Sequence, residues 1–315
     1  MRGHPVPGTD PGQGPGEGPG RLSADIVVCV HNSPEDVRRC LAAAVRTLAP
    51  GDRLIVIDDG SADETRGICA AAAAAAPDRV VLVRHDCGSG FTRAANAGLR
   101  LCRAGMVVLL NSDTVVLPGW LDRLAAAFAR HPRIGIVGPL SNAGGWQSIP
   151  GFGDDGSPPM SRVPSDDATL AEIQACCEAL ARRHAPPLLE QVNGFCLAIR
   201  AEVLRDVGLL DEVNFPRGYG EEVDFNFRAQ DAGYLCTVAL DCFVYHDKTK
   251  SYTPAARAKL IAEGRAAVDR LHGARRVRAA VENSRSHPVL AAIREETQTL
   301  FAARGWILGQ DSDTP

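Results

Sequence analysis

The chain has 315 residues and a mass of 33.4 kDa, enough for one large domain or two small ones with a full core. Hydrophobic residues make up 45% and charged residues 23%, which is ordinary globular composition. A net charge of -4 and a pI near 6.1 argue against a partner recognised through a nucleic-acid backbone.

The chain opens with "MRGHPVPGTDPGQGPGEGPG", which has no apolar segment of the secretory kind. Its Gly and Pro content predicts a disordered tail over residues 1–21. Five Val- and Ile-rich runs follow, "DIVVCV" (25–30), "RLIVID" (53–58), "RVVLVR" (79–84), "MVVLLN" (106–111) and "IGIVGP" (134–139). Each is bounded by turn or cap residues, as buried strands are. Helical patterns separate them. "SPEDVRRCLAAAVRTL" offers Ser33 as N-cap and Pro34 as first helical residue. "SADETRGICAAAAAAA" offers Ser61 as cap and Glu64 at the capping-box position. "GFTRAANAGLRLCRA" and "PGWLDRLAAAFARH" complete the alternation, which predicts an α/β fold with a mostly parallel sheet covered on both faces. Beyond Pro150 a Gly-, Pro- and Ser-rich loop leads to a helix near 167–184, a strand at 195–200, helices at 201–207 and from Glu221, and short strands near 234–240 and 243–246. From Pro254 the pattern is helical, with breaks near Gly273 and Pro288. The longest alanine run, Ala70 to Ala76, ends at Pro77 and is too short to cross a bilayer.

The 10 cysteines include no C-x-x-C pair, and Cys29, Cys102 and Cys196 lie in apolar runs. Reduced thiols, no zinc and a cytoplasmic protein are expected.

In an open α/β sheet, ligands bind at the carboxyl ends of the strands. Here those ends carry His31-Asn32, Asp58-Asp59-Gly60-Ser61, Arg84-His85-Asp86 and Asn111-Ser112-Asp113. One polar strand end is a wet loop; several together point to a ligand site. A dinucleotide fold would place a Gly-rich turn after the first strand, and "HNSPED" stands there instead. "CGSGF" (87–91) is the one Gly-rich turn of that kind, and a lone G-x-G is a weak signal. A phosphate-bearing ligand would then need its charge met by a divalent cation held by carboxylate and imidazole.

Six segments, "VHNSPEDVRRCL", "IVIDDGSADET", "GFTRAANAGL", "LLNSDTVVLPGWLDRL", "GYGEEVDFNFRAQDAGY" and "VYHD", together resemble the inverting glycosyltransferases of family 2, which have the GT-A fold. The likeness spans about residues 24–248. It implies a nucleoside-diphosphate sugar lying across the strand ends, with Mn2+ or Mg2+ on its diphosphate. Asp113 would close the family's D-x-D metal motif, with Asn111 in its first place, and His246 would join the metal. His31, Asn32, Asp58, Asp59, Gly60, Ser61, Arg93, Asn111 and Ser112 would hold the donor nucleotide. Asp59, or else Asp58, would accept the imide N–H of a uracil or thymine ring, and His31 stands where the family has a stacking aromatic. Glu222 would be the catalytic base, with Glu221 as the alternative. Acids favour the first turn of any helix, so only register within the motif sets Glu222 apart. Gly194 and Phe195 would line the acceptor side, Phe195 reading equally as core. Trp146 reads either as a sugar platform or as a loop residue anchored on the core.

The resemblance divides the chain into a nucleotide-sugar-binding half (22–140), an acceptor and catalytic half (141–253) and a helical extension (254–315). The expected partners are the sugar nucleotide and a glycan, lipid-linked or small-molecule acceptor, with no nucleic acid and at most peripheral contact with the inner face of a membrane. A sugar-nucleotide nucleotidyltransferase and a non-catalytic sugar- or nucleotide-binding module are the alternatives. A nicotinamide oxidoreductase is disfavoured by the turn after the first strand.

Overall fold

The computed structural model describes residues 21–152, 163–248 and 254–306. The expected tail therefore lies almost wholly outside the described residues, as does most of the loop after Pro150. Strands β1 (Ala24–Val30), β2 (Arg53–Asp59), β3 (Val80–His85) and β4 (Met106–Asn111) alternate with helices α1 (Pro34–Arg46), α2 (Asp63–Ala75) and α3 (Phe91–Leu99). A two-residue strand β5 (Thr114–Val115), helix α4 (Trp120–Ala129) and strand β6 (Ile134–Leu140) follow. Then come α5 (Asp167–Ala181), β7 (Leu188–Leu189), β8 (Cys196–Arg200), α6 (Ala201–Val207), α7 (Glu221–Asp231), β9 (Leu235–Phe243) and β10 (Tyr245–His246). Three helices close the chain, α8 (Pro254–His272), α9 (Ala274–Arg285) and α10 (Pro288–Ala303), broken at Gly273 and before Pro288 as the sequence predicts.

The main sheet runs β3-β2-β1-β4-β8-β6-β9-β7. β1 to β4 are mutually parallel, and so are β6 and β9. β8 is antiparallel to both of its neighbours, β4 and β6, so the fifth expected strand does not lie beside the fourth. An all-apolar strand reads alike in either direction, so its sequence carries no mark of this reversal. Side chains alternate between two cores, as the two-residue strand period requires. Ile26, Val28, Leu54 and Val56 enter the core under α1, α2, α4, α5 and α10. Val27, Ile55, Ile57 and Leu109 enter the core under α3, α6 and α7.

Both expected N-caps act differently. Ser33 occupies the cap place of α1 in a left-handed conformation and makes no side-chain cap bond. Ser61 lies one residue ahead of the α2 cap position, Ala62. Its hydroxyl instead accepts the Asn32 N–H at 3.0 Å, while Asn32 Oδ1 accepts the Ala62 N–H at 2.9 Å. The two turns at the sheet edge thus cap each other.

A third core forms where α8 and α9 meet α7, around Phe215, Phe227, Ala267, Val268, Val277 and Ala280. Close approach of α8 depends on Gly264, where a Cβ would lie 1.6 Å from the Tyr219 carbonyl oxygen. Gly264→Ala should therefore push α8 off the Tyr219 loop and cost about 1–3 kcal/mol, as overpacking does. Thermal unfolding checks this, and an unchanged midpoint would show that α8 is not held there.

Candidate active site

A cleft of about 920 Å³ opens at the carboxyl ends of β1, β2 and β4. It brings together His31, Asp59, Arg93, Asn111, Ser112, Asp113, Gly194, Phe195, Glu221, Glu222 and His246 of the expected residues. Asn32, Asp58, Gly60, Ser61 and Trp146 do not line it.

The best-defined wall is built by the small second sheet. β5 pairs antiparallel with β10, setting His246 opposite Thr114. The Asp247 N–H also donates to the Asp113 carbonyl at 2.9 Å. This ladder places His246 Nε2 3.3 Å from Asp113 Oδ1. The imidazole is fixed from behind. Its Nδ1 lies 2.8 Å from the Ala143 carbonyl, which only a protonated Nδ1 can contact as donor. Phe195 stacks on the ring at 5.2 Å and 13°. Nε2 thus faces the Asp113 carboxylate, and without a proton it could offer its lone pair to a metal. Two cis ligands of one small divalent ion, each bonded at about 2.1 Å, lie about 3 Å apart, so this pair fits Mn2+ or Mg2+. The Ala143 carbonyl behind the ring fixes its orientation, as a carbonyl or carboxylate does for the histidines of metal sites. Among the described residues no group of three or more His, Cys, Asp or Glu is arranged to hold a metal. Among the described residues this pair would supply two ligands, and the remainder would have to come from a bound ligand or water.

The β2 side of the cleft is organised by Asp59. Its carboxylate accepts His85 Nδ1 at 2.7 Å, Ser89 Oγ at 2.7 Å, the Ser89 N–H at 2.9 Å and the Gly90 N–H at 3.0 Å. Burial pushes its pKa up, but the bonds from Ser89, His85 and Gly90 outweigh this and hold it below the usual carboxylate range. Asp59 therefore shapes the Ser89–Gly90 turn, and a base N–H would compete with these donors. Asp58 turns away from the cleft, pairs with Arg84 and accepts the Ser61 N–H at 2.9 Å. Gly60, at φ +74, lets the two loops touch, since a Cβ there would meet the Gly88 nitrogen at 2.5 Å. His31 is exposed at the cleft mouth over Gly88, with Nδ1 2.8 Å from the Asp59 carbonyl.

The opposite wall is the N-terminus of α7. Glu221 is 6% exposed, and its Oε2 is buried without a hydrogen-bond partner. Burial, with the Glu222 and Asp224 charges adding, pushes its carboxyl well above the usual glutamate range. Burial raises Glu222 as well, although the Gly220 N–H reaches its Oε2 at 3.3 Å. Glu222 lies across Gly194, where a Cβ would come within 3.2 Å of its side chain. Asp224 takes no part in the cleft; it binds Arg228 at 2.8 Å and His272 at 2.8 Å.

A pH-dependent stability difference follows from Glu221. Its folded pKa lies above its unfolded one, so its stabilisation is complete below about pH 4 and is lost as pH rises through the folded value. Glu221→Gln removes that loss. The apo variant should melt about 2–6 °C higher than wild type at pH 8, with the gap closing towards pH 5. An equal gap at both pH values would contradict a raised pKa.

Trp146 stacks edge-to-face on Phe152 at 4.9 Å, and its carbonyl accepts Arg294 Nη2 at 2.5 Å, so it belongs to the packing of α10. The sequence reading passed over Ser89, Asn193, Arg217, Tyr219, Lys248, Arg257 and Ile261, all of which line the cleft. The "CGSGF" turn was a visible signal for Ser89. The stripe of residues on α8 was one for Arg257 and Ile261.

A large mostly parallel sheet with helices on both faces and a polar cleft at its strand ends is the GT-A architecture. Residues 25–146 match the family model described as glycosyl transferase family 2, so this part of the chain is similar to that family. Among curated relatives, it is 28% identical over 226 residues to the pre-mycofactocin glycosyltransferase of Mycobacterium tuberculosis, covering 70% of this chain and 42% of the relative. It is 22% identical over 142 residues to the amylovoran biosynthesis glycosyltransferase AmsE of Erwinia amylovora, covering 44% of this chain and 50% of the relative. The chain thus spans half or less of the length of these two relatives. In fold it is similar to the mannosyltransferase PcManGT of Pyrobaculum calidifontis, solved with GDP-Man and Mn2+, at TM-score 0.58 and 16% identity over 90% of this chain and 76% of that one. It is also similar to GalNAc-T7, solved with UDP, GalNAc and Mn2+, at TM-score 0.59 and 16% identity over 91% of this chain and 57% of that one.

Proposed function

We propose that this chain transfers a sugar from a nucleoside-diphosphate donor, of the UDP or dTDP type, to an acceptor hydroxyl with inversion at the anomeric carbon. The observation that carries the reading is the Asp113–His246 pair at one wall of a cleft whose other wall holds the buried Glu221 and the half-buried Glu222. Mn2+ or Mg2+, when bound, neutralises the diphosphate and the charge that grows on the leaving nucleotide. Asp113 and the Nε2 of His246 would hold it. Asp59 keeps the Ser89–Gly90 turn in the shape that meets the nucleoside, and His31 offers a ring for stacking. Glu222 takes the proton of the attacking hydroxyl, and its raised pKa suits a base near neutral pH. Glu221, buried against it, favours the state in which the pair carries one negative charge.

UDP, dTDP, GDP and NAD, each with and without Mn2+, separate the readings in a thermal-shift experiment. A rise of several degrees with a nucleoside diphosphate only when Mn2+ is present supports sugar-nucleotide binding. A response to NAD alone overturns it. Release of nucleoside diphosphate from a sugar nucleotide then separates a transferase from a binding module.

A further inference from the structure

Helix α8 carries Arg257, Ile261, Gly264, Val268 and His272 at spacings of four, three, four and four, which is one face of a helix. The later members of this stripe are packed on protein. Gly264 sits on the Tyr219 carbonyl, Val268 is buried beside Gly220 and Phe215, and His272 Nε2 lies 2.8 Å from Asp224 Oδ1. Successive contacts at Tyr219, Gly220 and Asp224 show α8 running alongside α7 in the same direction. The first two turns of α8 therefore overshoot the N-terminus of α7, where Glu221 and Glu222 lie. There the same face meets the cleft: Arg257 and Ile261 both line it.

These two residues have the chemistry of an unfilled contact. Ile261 is 45% exposed although Gly264 and Val268 of its stripe are buried. The Arg257 guanidinium, half-buried, makes no hydrogen bond or ion pair among the described residues. Farther along, Arg270 near the end of α8 pairs with Asn214, and Arg276 of α9 pairs with Asp231. A guanidinium left in a cleft is suited to a carboxylate or phosphate. The donor diphosphate is assigned to the Asp113–His246 wall, at the ends of β4 and β10, and α8 approaches from the α7 side. An anion entering beside the two glutamates would be repelled by them unless a cation stood near, and Arg257 is placed to be that cation.

We propose that the first two turns of α8 form an acceptor subsite, in which Arg257 binds an anionic group of the acceptor and Ile261 packs on an apolar segment beside it. This rests on the glycosyl-transfer reading and adds the acceptor's chemical class.

Calorimetric titration of the whole chain tests it. UDP with Mn2+ is titrated first, and three probes sharing one apolar arm follow: n-octyl glucoside, n-octyl glucuronide and n-octyl phosphate, all below their micellar concentrations. At least one anionic probe should bind about tenfold more tightly than the glucoside, as a charge-assisted bond allows, and the preferred anion identifies carboxylate or phosphate. R257Q should bring the three within about twofold of one another and leave UDP affinity unchanged. I261S should weaken all three alike by about threefold to tenfold, the loss expected for a part-buried aliphatic contact. Equal binding of the three probes to the wild-type chain overturns the proposal. So does a loss of UDP affinity in R257Q, which would make Arg257 a donor ligand. A wild-type chain that ignores both UDP and dTDP in the presence of Mn2+ overturns the transfer reading, before any octyl probe is added, and the acceptor subsite falls with it.

Discussion

Glu222→Gln is expected to lower the rate of sugar transfer by about 10²–10⁴-fold, the usual worth of a positioned general base, while nucleotide affinity stays within about twofold. The amide keeps the shape of the side chain over Gly194, so the cleft is unchanged and only proton acceptance is lost. The pH profile gives a second readout. The base works ionised, and burial raises its pKa. kcat/KM of the wild type should therefore fall on the acid side at a pH above the ordinary glutamate range. The residual activity of the variant should lack that limb. Turnover near the wild-type rate would remove Glu222 from the base role and pass it to Glu221.

Asp113→Ala should abolish the Mn2+-dependent part of nucleoside-diphosphate binding, a loss of about 100-fold or more, because the chain then keeps His246 alone as a ligand. Asn111 adds no charge, so no other carboxylate on this turn takes over. Binding of UDP with Mn2+ and with chelator provides the measurement. A variant whose UDP affinity equals that of the wild type under both conditions would refute the metal role. The fold should survive, since the backbone of this turn is held by the Asn111 N–H on the Phe195 carbonyl, by Thr114 Oγ1 on the Asn111 carbonyl and by the β5–β10 ladder.

Much of the first half of the fold was legible because apolar runs and caps alternate there without ambiguity. The reversal of β8 was not, because direction is set by which neighbours a strand pairs with and leaves no trace in an all-apolar sequence. Ser61 shows a second limit. Its position satisfies the capping-box pattern, yet the hydroxyl is claimed by the Asn32 N–H across the sheet edge, a tertiary contact that no local pattern contains. Asp58 and Asp59 are adjacent and chemically alike, and strand alternation alone sends one to Arg84 and the other to the cleft. Asp113 and His246 were singled out through motif resemblance; their proximity depends on two strands of two residues each, too short to announce themselves. Trp146 carried no signal that would separate a sugar platform from an anchor, and the packing against Phe152 and α10 makes it the latter.

The β5–β10 ladder has a consequence for how the chemistry arises during folding. It closes a loop that contains β6, β8, α7 and β9, so it depends on contacts far apart along the chain. Closing so long a loop is entropically unfavourable until the intervening strands are in place. A nascent chain that has released β1 to β4 already displays Asp113; the glutamates of α7 follow, and the imidazole of His246 comes last. With the roles proposed above, a chain made only as far as α7 has the glutamates but half of the Asp113–His246 pair, so the metal site would be the last part of the cleft to form.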